Sequence, residues 1–192
     1  ALNPVIYTSY TEEMDASSLT TANVRLFDYT GGNVLVPIDF ELDGTGRILK
    51  VSPQSPLQPN RQYYLYLSST IEDTDGDAQI YDYSSWLTTG GDVIDDRQPM
   101  VVAMSPFDGS AAVGVNAGYA VRYDESMNPV SFNADGNRYG ATFSENNQVV
   151  RYNRFETLPP SAEVTEPAPT LVDASGNTVV AASATFTTGT GP

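Results

Sequence analysis

The fold is decided by a stretch that occurs twice in the chain. Residues 72–90 read EDTDGDAQIYDYSSWLTTG, and residues 172–189 read VDASGNTVVAASATFTTG. Each copy begins with an Asp-x-x-Gly turn, continues through a predicted strand and ends on Thr-Thr-Gly. Asp73 and Asp173 lie 100 positions apart, and Gly90 and Gly189 lie 99 positions apart. A spacing kept this closely at both ends predicts one structural unit that is used twice.

A second pair of landmarks repeats in the same order. Residues 10–15 read YTEEMD and residues 123–128 read YDESMN, 113 positions later. The run RILK at residues 47–50 corresponds to QVVR at residues 148–151, 101 positions later. The first copy therefore carries a longer middle. We predict two tandem domains, residues 1–91 and 92–192, with the boundary near Gly91 to Gln98.

The hydrophobic pattern is that of an all-β protein. Short runs alternate apolar and polar residues and are separated by Gly, Pro, Asn and Asp, which is typical of half-buried strands joined by turns. Many short strands at regular spacing favour a β-sandwich. The predicted strands are 4–10, 23–28, 34–42, 47–51, 62–69 and 83–89, then 100–105, 118–123, 138–143, 148–153, 162–166 and 178–187. We expect no helix beyond a turn at residues 15–19.

Several of these motifs carry a family resemblance. The run MSPFDGSAAVGVN at residues 104–116, VRYDESM at residues 121–127 and the closing Asp-x-x-Gly-Asn turn with Phe-Thr-Thr-Gly resemble the bacterial Ig-like domain that recurs in large surface proteins. The first unit matches from Asn3 to Gly90, and the second matches at both ends. The resemblance implies two tandem immunoglobulin-like β-sandwiches that act as spacers or adhesive modules, without catalytic residues.

The first unit departs from this pattern at its beginning. Asn3 aligns with Asn116, so the first unit has no counterpart of Pro99 to Val115. That stretch contains the first predicted strand of the second unit. We therefore expect the first sandwich to lack its N-terminal strand and to expose a sheet edge, which a neighbouring chain could fill by strand addition.

Composition limits the possible functions. The chain has no cysteine and no histidine, which removes thiol chemistry, the most common general base and the most common transition-metal ligand. The net charge of −15 repels phosphate groups, so nucleic acid and anionic membrane surfaces are not expected partners. No apolar run has the length of a membrane span, and we expect no membrane insertion.

We expect no catalytic activity. Acidic pairs of the kind used in glycoside hydrolysis occur at Glu12–Glu13 and at Asp124–Glu125. Because they recur at equivalent positions, they indicate a shared structural role beside Met14 and Met127. A Ser–Lys dyad would need Lys50, the only lysine, and the sequence marks no partner for it.

The densest carboxylate cluster is a candidate calcium site. Asp73, Asp75 and Asp77 alternate along the turn, as oxygen ligands do in calcium loops. The spacing differs from that of an EF-hand, because Gly76 lies between the second and third Asp. In the alternative interpretation this is an ordinary turn, in which Asp73 and Asp173 accept hydrogen bonds from their own backbone and Gly takes a positive φ.

The acidic linker is a second candidate calcium site. Asp92, Asp95 and Asp96 could combine with a turn carboxylate such as Glu12, Glu13 or Asp124, and a bound calcium ion would stiffen the joint. The alternative is a solvated linker in which Asp96 pairs with Arg97.

Three aromatic residues form a candidate glycan platform. In the run QYYLYL at residues 62–67 a period of two places Tyr64 and Tyr66 on one face, and Trp86 faces outward on the strand at 83–89. If these strands are neighbours, the three rings line one exposed surface that could stack on sugar rings. The alternative is cross-strand aromatic pairing that only stabilises the sheet.

The functional expectation follows from these features. The chain is expected to be a non-catalytic spacer or adhesive segment of a large secreted or cell-surface bacterial protein. Its expected partners are neighbouring repeats of the parent chain and cell-surface or matrix glycans, and its expected location is extracellular or on the cell surface. The alternative is a carbohydrate-binding module or an accessory domain of a polysaccharide-active enzyme.

Overall fold

The computed structural model describes residues 1–91, 93–132 and 138–191, and it divides into two compact units. The first is Ala1–Asp95 and the second is Asp96–Pro192. Both consist of antiparallel strands, and the helical elements of the described residues are two short 3₁₀ turns at Ala16–Ser18 and Pro129–Ser131. The all-β prediction is confirmed. Among the described residues there is no helix with the length and hydrophobicity needed to span a bilayer.

The first unit contains seven strands in two sheets. In chain order they are β1 (Ile6–Ser9), β2 (Val24–Asp28), β3 (Val34–Val36), β4 (Ile38–Leu42), β5 (Ile48–Pro53), β6 (Gln62–Leu67) and β7 (Tyr83–Thr88). One sheet has the order β1-β5-β4 and the other has the order β3-β2-β6-β7. The two sheets pack around a common core that includes Leu49 and Val51 of β5 and Leu26 and Leu65 of β2 and β6.

A single predicted strand at residues 34–42 is divided in the structure. β3 pairs with β2 in one sheet, and β4 pairs with β5 in the other. Pro37 lies between them, where it has no N–H to contribute to a ladder. The chain therefore changes sheets at the proline, which alternation of apolar residues alone does not indicate.

The second unit has counterparts of β1, β4, β5, β6 and β7 and one further strand at its beginning, while its described residues include no counterpart of β2 or β3. Its strands are β8 (Val101–Ser105), β9 (Tyr119–Tyr123), β10 (Arg138–Ser144), β11 (Val149–Arg154), β12 (Glu163–Pro167) and β13 (Ser183–Thr187). The sheets have the orders β10-β11-β9-β8 and β12-β13. The core includes Tyr123, Val150, Tyr152 and Phe186.

β13 is shorter than the predicted strand at 178–187. Thr178 forms a bridge with Val172, and the N–H of Val179 bonds the carbonyl oxygen of Leu171 at 2.9 Å. These residues therefore close the polar turn instead of extending the strand.

The absence of a first strand in the first unit is visible in the sheet order. β9 lies between β11 and β8, whereas its counterpart β1 pairs with β5 at the end of a three-stranded sheet. The expectation of a first sandwich that lacks its N-terminal strand agrees with this arrangement.

Candidate functional site

The outer face of the sheet β3-β2-β6-β7 carries a row of aromatic rings. Tyr64 on β6 lies directly opposite Trp86 on β7 and Phe27 on β2. The ring centroids of Tyr64 are 5.0 Å from those of both neighbours, and Tyr29 meets Trp86 edge-on at 5.1 Å. The predicted neighbouring strands thus bring Tyr64 and Trp86 together, and two further rings join them, Phe27 on β2 and Tyr29 directly after β2.

A guanidinium group connects Tyr66 to this row. Arg25 lies 4.6 Å from the centroid of Tyr66 and 5.5 Å from that of Phe27, within the range of a cation–π contact. Asp82 lies nearby, and its pKa is lowered because the Ser69 N–H and the Tyr66 hydroxyl donate hydrogen bonds to it. We call the group Phe27, Tyr29, Tyr64, Tyr66 and Trp86, with Arg25, the aromatic surface.

The aromatic surface is open to solvent at one end. Trp86 and Tyr29 expose 52% and 50% of their area, while Tyr64 and Tyr66 are half-buried between their neighbours. Flat apolar rings bordered by a cation and hydroxyl groups suit the apolar face of a sugar. The same contacts also stabilise the sheet by about 0.2–1 kcal/mol per cross-strand pair, so geometry alone supports both interpretations.

Phe27 and Tyr29 are members that sequence reasoning missed. Residues 24–28 alternate between buried and half-buried positions, which places Phe27 on the outer face. The missing information was the pairing of β2 with β6, because a period of two assigns a face but not a neighbour.

The Asp73 turn shows the contacts of a backbone-capped turn. The Asp73 Oδ1 atom accepts hydrogen bonds from the N–H groups of Asp75 and Asp77, each at 2.9 Å. Gly76 has φ +86°. In the second unit the Asp173 Oδ1 atom accepts from Ser175 at 2.7 Å and Asn177 at 2.9 Å, and Gly176 has φ +85°. These contacts are those of the turn interpretation, and calcium binding at Asp73, Asp75 and Asp77 stays a prediction.

Glu12 faces the first of these turns. Hydrogen bonds from the Asp77 N–H and from Glu12 hold the pKa of Asp73 below its usual range. The pKa of Glu12 is raised, because its carboxyl group hydrogen-bonds Asp73 and lies in the negative field of Asp73, Asp75 and Asp77. The carboxyl groups of Glu12 and of the turn therefore lie close enough to interact.

The structure describes most of the acidic linker. Asp92 lies outside the described residues. The Asp95 N–H donates to the Asn3 Oδ1 atom at 2.9 Å, and the Asp95 carbonyl oxygen accepts from the Asn3 amide at 2.7 Å. Asp96 begins the second unit. Calcium binding by Asp92, Asp95 and Asp96 stays a prediction.

Arg97 forms ion pairs with the turn carboxylates of its own unit. Its guanidinium lies 2.5 Å from Asp124 and 2.9 Å from Glu125. Burial acts to raise the pKa of Asp124, but hydrogen bonds from the Met100 N–H and from Arg97 keep it below its ordinary value. Asp124, one of the turn carboxylates proposed for the calcium site of the linker, thus has a cationic partner.

A buried ion cluster in the second unit was not anticipated. Glu166 is completely buried and accepts from Arg138 at 3.2 Å, from the Tyr152 hydroxyl at 3.2 Å and from the Arg154 Nε atom at 2.9 Å. By strand register its counterpart in the first unit is the buried Leu65. A charged side chain thus occupies a core position that is apolar in the first unit. The alternation of apolar and polar residues around Glu166 does not indicate that its side chain points inward.

Comparison with known proteins identifies the first unit. A family model described as a bacterial Ig-like domain matches residues 1–89, which confirms the resemblance found in the sequence. The search of curated proteins gave no match.

Solved structures give weaker similarities. The chain is similar to the N-terminal part of the bacterial S-layer protein SbsC, at 11% identity and a TM-score of 0.41, over 96% of this chain and 41% of that one. It is also similar to E. coli alpha-2-macroglobulin in its native conformation, at 14% identity and a TM-score of 0.38, over 96% of this chain and 13% of that one. The chain thus spans less than half the length of each, and scores of this size do not establish a shared function.

Proposed function

The first unit of this chain is a bacterial Ig-like domain, and from this premise we propose that the chain is a non-catalytic spacer or adhesive segment of a secreted or cell-surface bacterial protein. The observation that carries the proposal is the separate buried core of each unit. A module with its own core can be repeated along a chain without depending on a specific partner domain for its stability.

Charge and composition support the same role. A net charge of −15 keeps an exposed segment soluble. The most deeply buried carboxylate, Glu166, is engaged by arginine and tyrosine side chains, as in a structural cluster.

Single-molecule force extension tests the spacer role. A spacer built from independent modules should unfold in two steps, and releasing the first unit of 95 residues should add about 330 Å of contour length. The variant Leu65→Ala should weaken only the step of the first unit, because Leu65 is completely buried in its core. A single step that releases both units together would contradict the proposal.

The aromatic surface favours a second candidate function, the binding of a glycan. Its two most exposed rings, Trp86 and Tyr29, meet edge-on, and Arg25 and Asp82 supply polar groups beside Tyr66. Rings in this arrangement can stack on a sugar, while the charged groups can hydrogen-bond its hydroxyls.

A glycan array tests this candidate with matched variants. Trp86→Ala should lower binding about tenfold or more if stacking contributes about 1.4 kcal/mol. Tyr81→Ala is the control, because Tyr81 is 79% exposed but lies outside the aromatic surface. Binding that survives Trp86→Ala, or that falls equally in both variants, would refute a glycan site at this surface.

A further inference from the structure

One cation of the aromatic surface has no hydrogen-bonding partner in the protein. The side chain of Arg25 on β2 forms no hydrogen bond and no ion pair with any residue that the structure describes, and its Nε atom is buried without an acceptor. Every other lysine and arginine side chain of the chain donates at least one hydrogen bond to a protein oxygen atom. The donors of Arg25 are therefore left for solvent or for a ligand.

Two aromatic rings hold the Arg25 guanidinium in place. Tyr66 lies opposite Arg25 on the neighbouring strand, and Phe27 lies two residues further along β2. The guanidinium is 4.6 Å from the Tyr66 centroid and 5.5 Å from the Phe27 centroid. Cation–π contacts of this kind position the group through the faces of the rings and leave its N–H donors unused. A guanidinium that is already positioned loses less freedom when it binds a carboxylate.

The outward positions of this sheet carry no carboxylate. They are Arg25 and Phe27 on β2, Leu35 on β3, Gln62, Tyr64 and Tyr66 on β6, and Ser84, Trp86 and Thr88 on β7. The whole chain, in contrast, has Asp+Glu 24 against Lys+Arg 9. Asp82 lies beside this face, but its pKa is lowered mainly by hydrogen bonds from the Ser69 N–H and the Tyr66 hydroxyl, and Arg25 contributes only through its charge. The face is thus a cationic patch on an acidic protein.

The second unit shows that this position in the fold does not require aromatic rings. By strand register Thr165 takes the place of Tyr64, and Thr185 takes the place of Trp86. The two threonine hydroxyl groups form a hydrogen bond at 2.9 Å. The same pair of strands is therefore built with small polar side chains in the second unit, so strand pairing alone does not account for the rings in the first unit.

We propose that Arg25 is a carboxylate-binding residue of the aromatic surface, and that its ligand is an acidic polysaccharide that contains uronic acid residues. The proposal rests on the glycan-binding candidate described above and names the class of glycan. A guanidinium and a carboxylate form two parallel hydrogen bonds, which a neutral sugar hydroxyl cannot match. Arg25 and Trp86 lie two strands apart, about 12 Å by strand geometry. An oligosaccharide that stacks on Trp86 therefore reaches Arg25 with a neighbouring residue.

An acidic polysaccharide suits this surface better than an acidic peptide does. One sugar stacks on Trp86 or Tyr29 while the carboxylate of a neighbouring sugar, fixed directly to its ring, pairs with Arg25. A peptide carries its carboxylates on flexible side chains, which lose more freedom on binding. The net charge of −15 repels anions at long range. At physiological ionic strength the screening length is about 8 Å, so the charges that matter at this site are those of Arg25 and Asp82.

The test compares acidic and neutral forms of the same sugar with the complete chain. Oligomers of galacturonate and of mannuronate are titrated by calorimetry at about 0.15 M salt, each beside its methyl ester. The ester keeps the rings and the linkage but removes the charge. We expect at least one of the acidic oligomers to bind about tenfold or more tightly than its ester, because the ester cannot form the charged hydrogen bonds to Arg25. This comparison needs no altered protein.

Three variants assign the effect to this site. Arg25→Gln should weaken binding of the acidic oligomer about tenfold and change binding of the ester less than about twofold. Arg151→Gln is the matched control, because it removes the same charge from an exposed arginine of the second unit and should leave both affinities unchanged. Asp82→Asn removes the negative charge beside Arg25 and should strengthen binding of the acidic oligomer about twofold to threefold.

Four results would overturn the proposal. They are no binding of either acidic oligomer, equal binding of acid and ester, equal effects of Arg25→Gln and Arg151→Gln, and an oligomer of glutamate that binds as tightly as the acidic sugar. Self-association of the chain that Arg25→Gln abolishes would assign the site to a second copy and would also overturn it. The glycan-binding candidate fails separately. Neutral glycans or esters that lose binding only in Trp86→Ala would leave that candidate standing while the carboxylate site falls.

Discussion

Loss of the Glu166 carboxylate should destabilise the second unit strongly. Glu166→Ala removes the bond between the Glu166 carboxylate and Arg138, whose side chain is 5% exposed in the core. Removing one partner of a buried ion pair costs about 3–5 kcal/mol. Arg154 is 24% exposed and can turn toward water, and Arg138 keeps a bond to the Pro167 carbonyl oxygen at 2.7 Å. The expected loss is therefore at the lower limit, about 3 kcal/mol.

The assay is thermal and denaturant unfolding of the complete chain. For a unit of this size, about 3 kcal/mol lowers the unfolding temperature by about 12–24 °C. The first unit has its own core and serves as an internal control, so its transition should stay where it is.

A compensating double variant separates charge from packing. By register the first unit has Ile38 and Leu65 where the second has Arg138 and Glu166. Arg138→Ile with Glu166→Leu should recover stability to within about 1 kcal/mol of the parent, because apolar replacement of a buried ion pair is often neutral. A loss below about 1 kcal/mol for Glu166→Ala, or a double variant no more stable than the single one, would refute this account of the cluster.

Three further variants test the turns and the buried tyrosines. Asp173→Ala removes the acceptor of two backbone N–H groups and should cost the second unit about 1–3 kcal/mol in denaturant unfolding. Burial raises the pKa of Tyr10 to about 12, above the ordinary value of about 10 that it has in the unfolded chain, so the first unit should be fully stable below about pH 10 and lose stability as the pH rises toward 12. Tyr10→Phe should reduce that loss, and an unchanged pH profile would contradict the burial argument. If the first turn binds calcium, titration calorimetry should give heat that Asp75→Asn weakens, while no heat and no shift in melting temperature would end that hypothesis.

Local pattern was sufficient for most of the fold. The alternation in residues 62–67 gives both β6 and its inward residues, Tyr63, Leu65 and Leu67, which are all buried. The sheet change at Pro37 was not predicted, because the apolar pattern continues across the proline and only the pairing partner changes.

The candidate sites depend even more on strand pairing, which the local sequence pattern does not give. Tyr64 and Trp86 could be assigned to one surface because their strands are close in sequence and pair directly. Phe27 and Tyr29 required the longer-range pairing of β2 with β6. Glu166 could not be predicted, because its burial depends on Arg138 and Arg154 from the other sheet, and a charged residue is assigned to the surface by default.

β7 is the last strand of its sheet among the described residues, and this position has a consequence for colloidal behaviour. An unpaired strand without Lys or Pro is a template for cross-β aggregation. Mutual repulsion between molecules of charge −15 opposes this at low ionic strength. At about 1 M salt the screening length shrinks to about 3 Å, and that protection disappears. Concentrated solutions should therefore stay clear in dilute buffer and form thioflavin-positive fibrils in high salt.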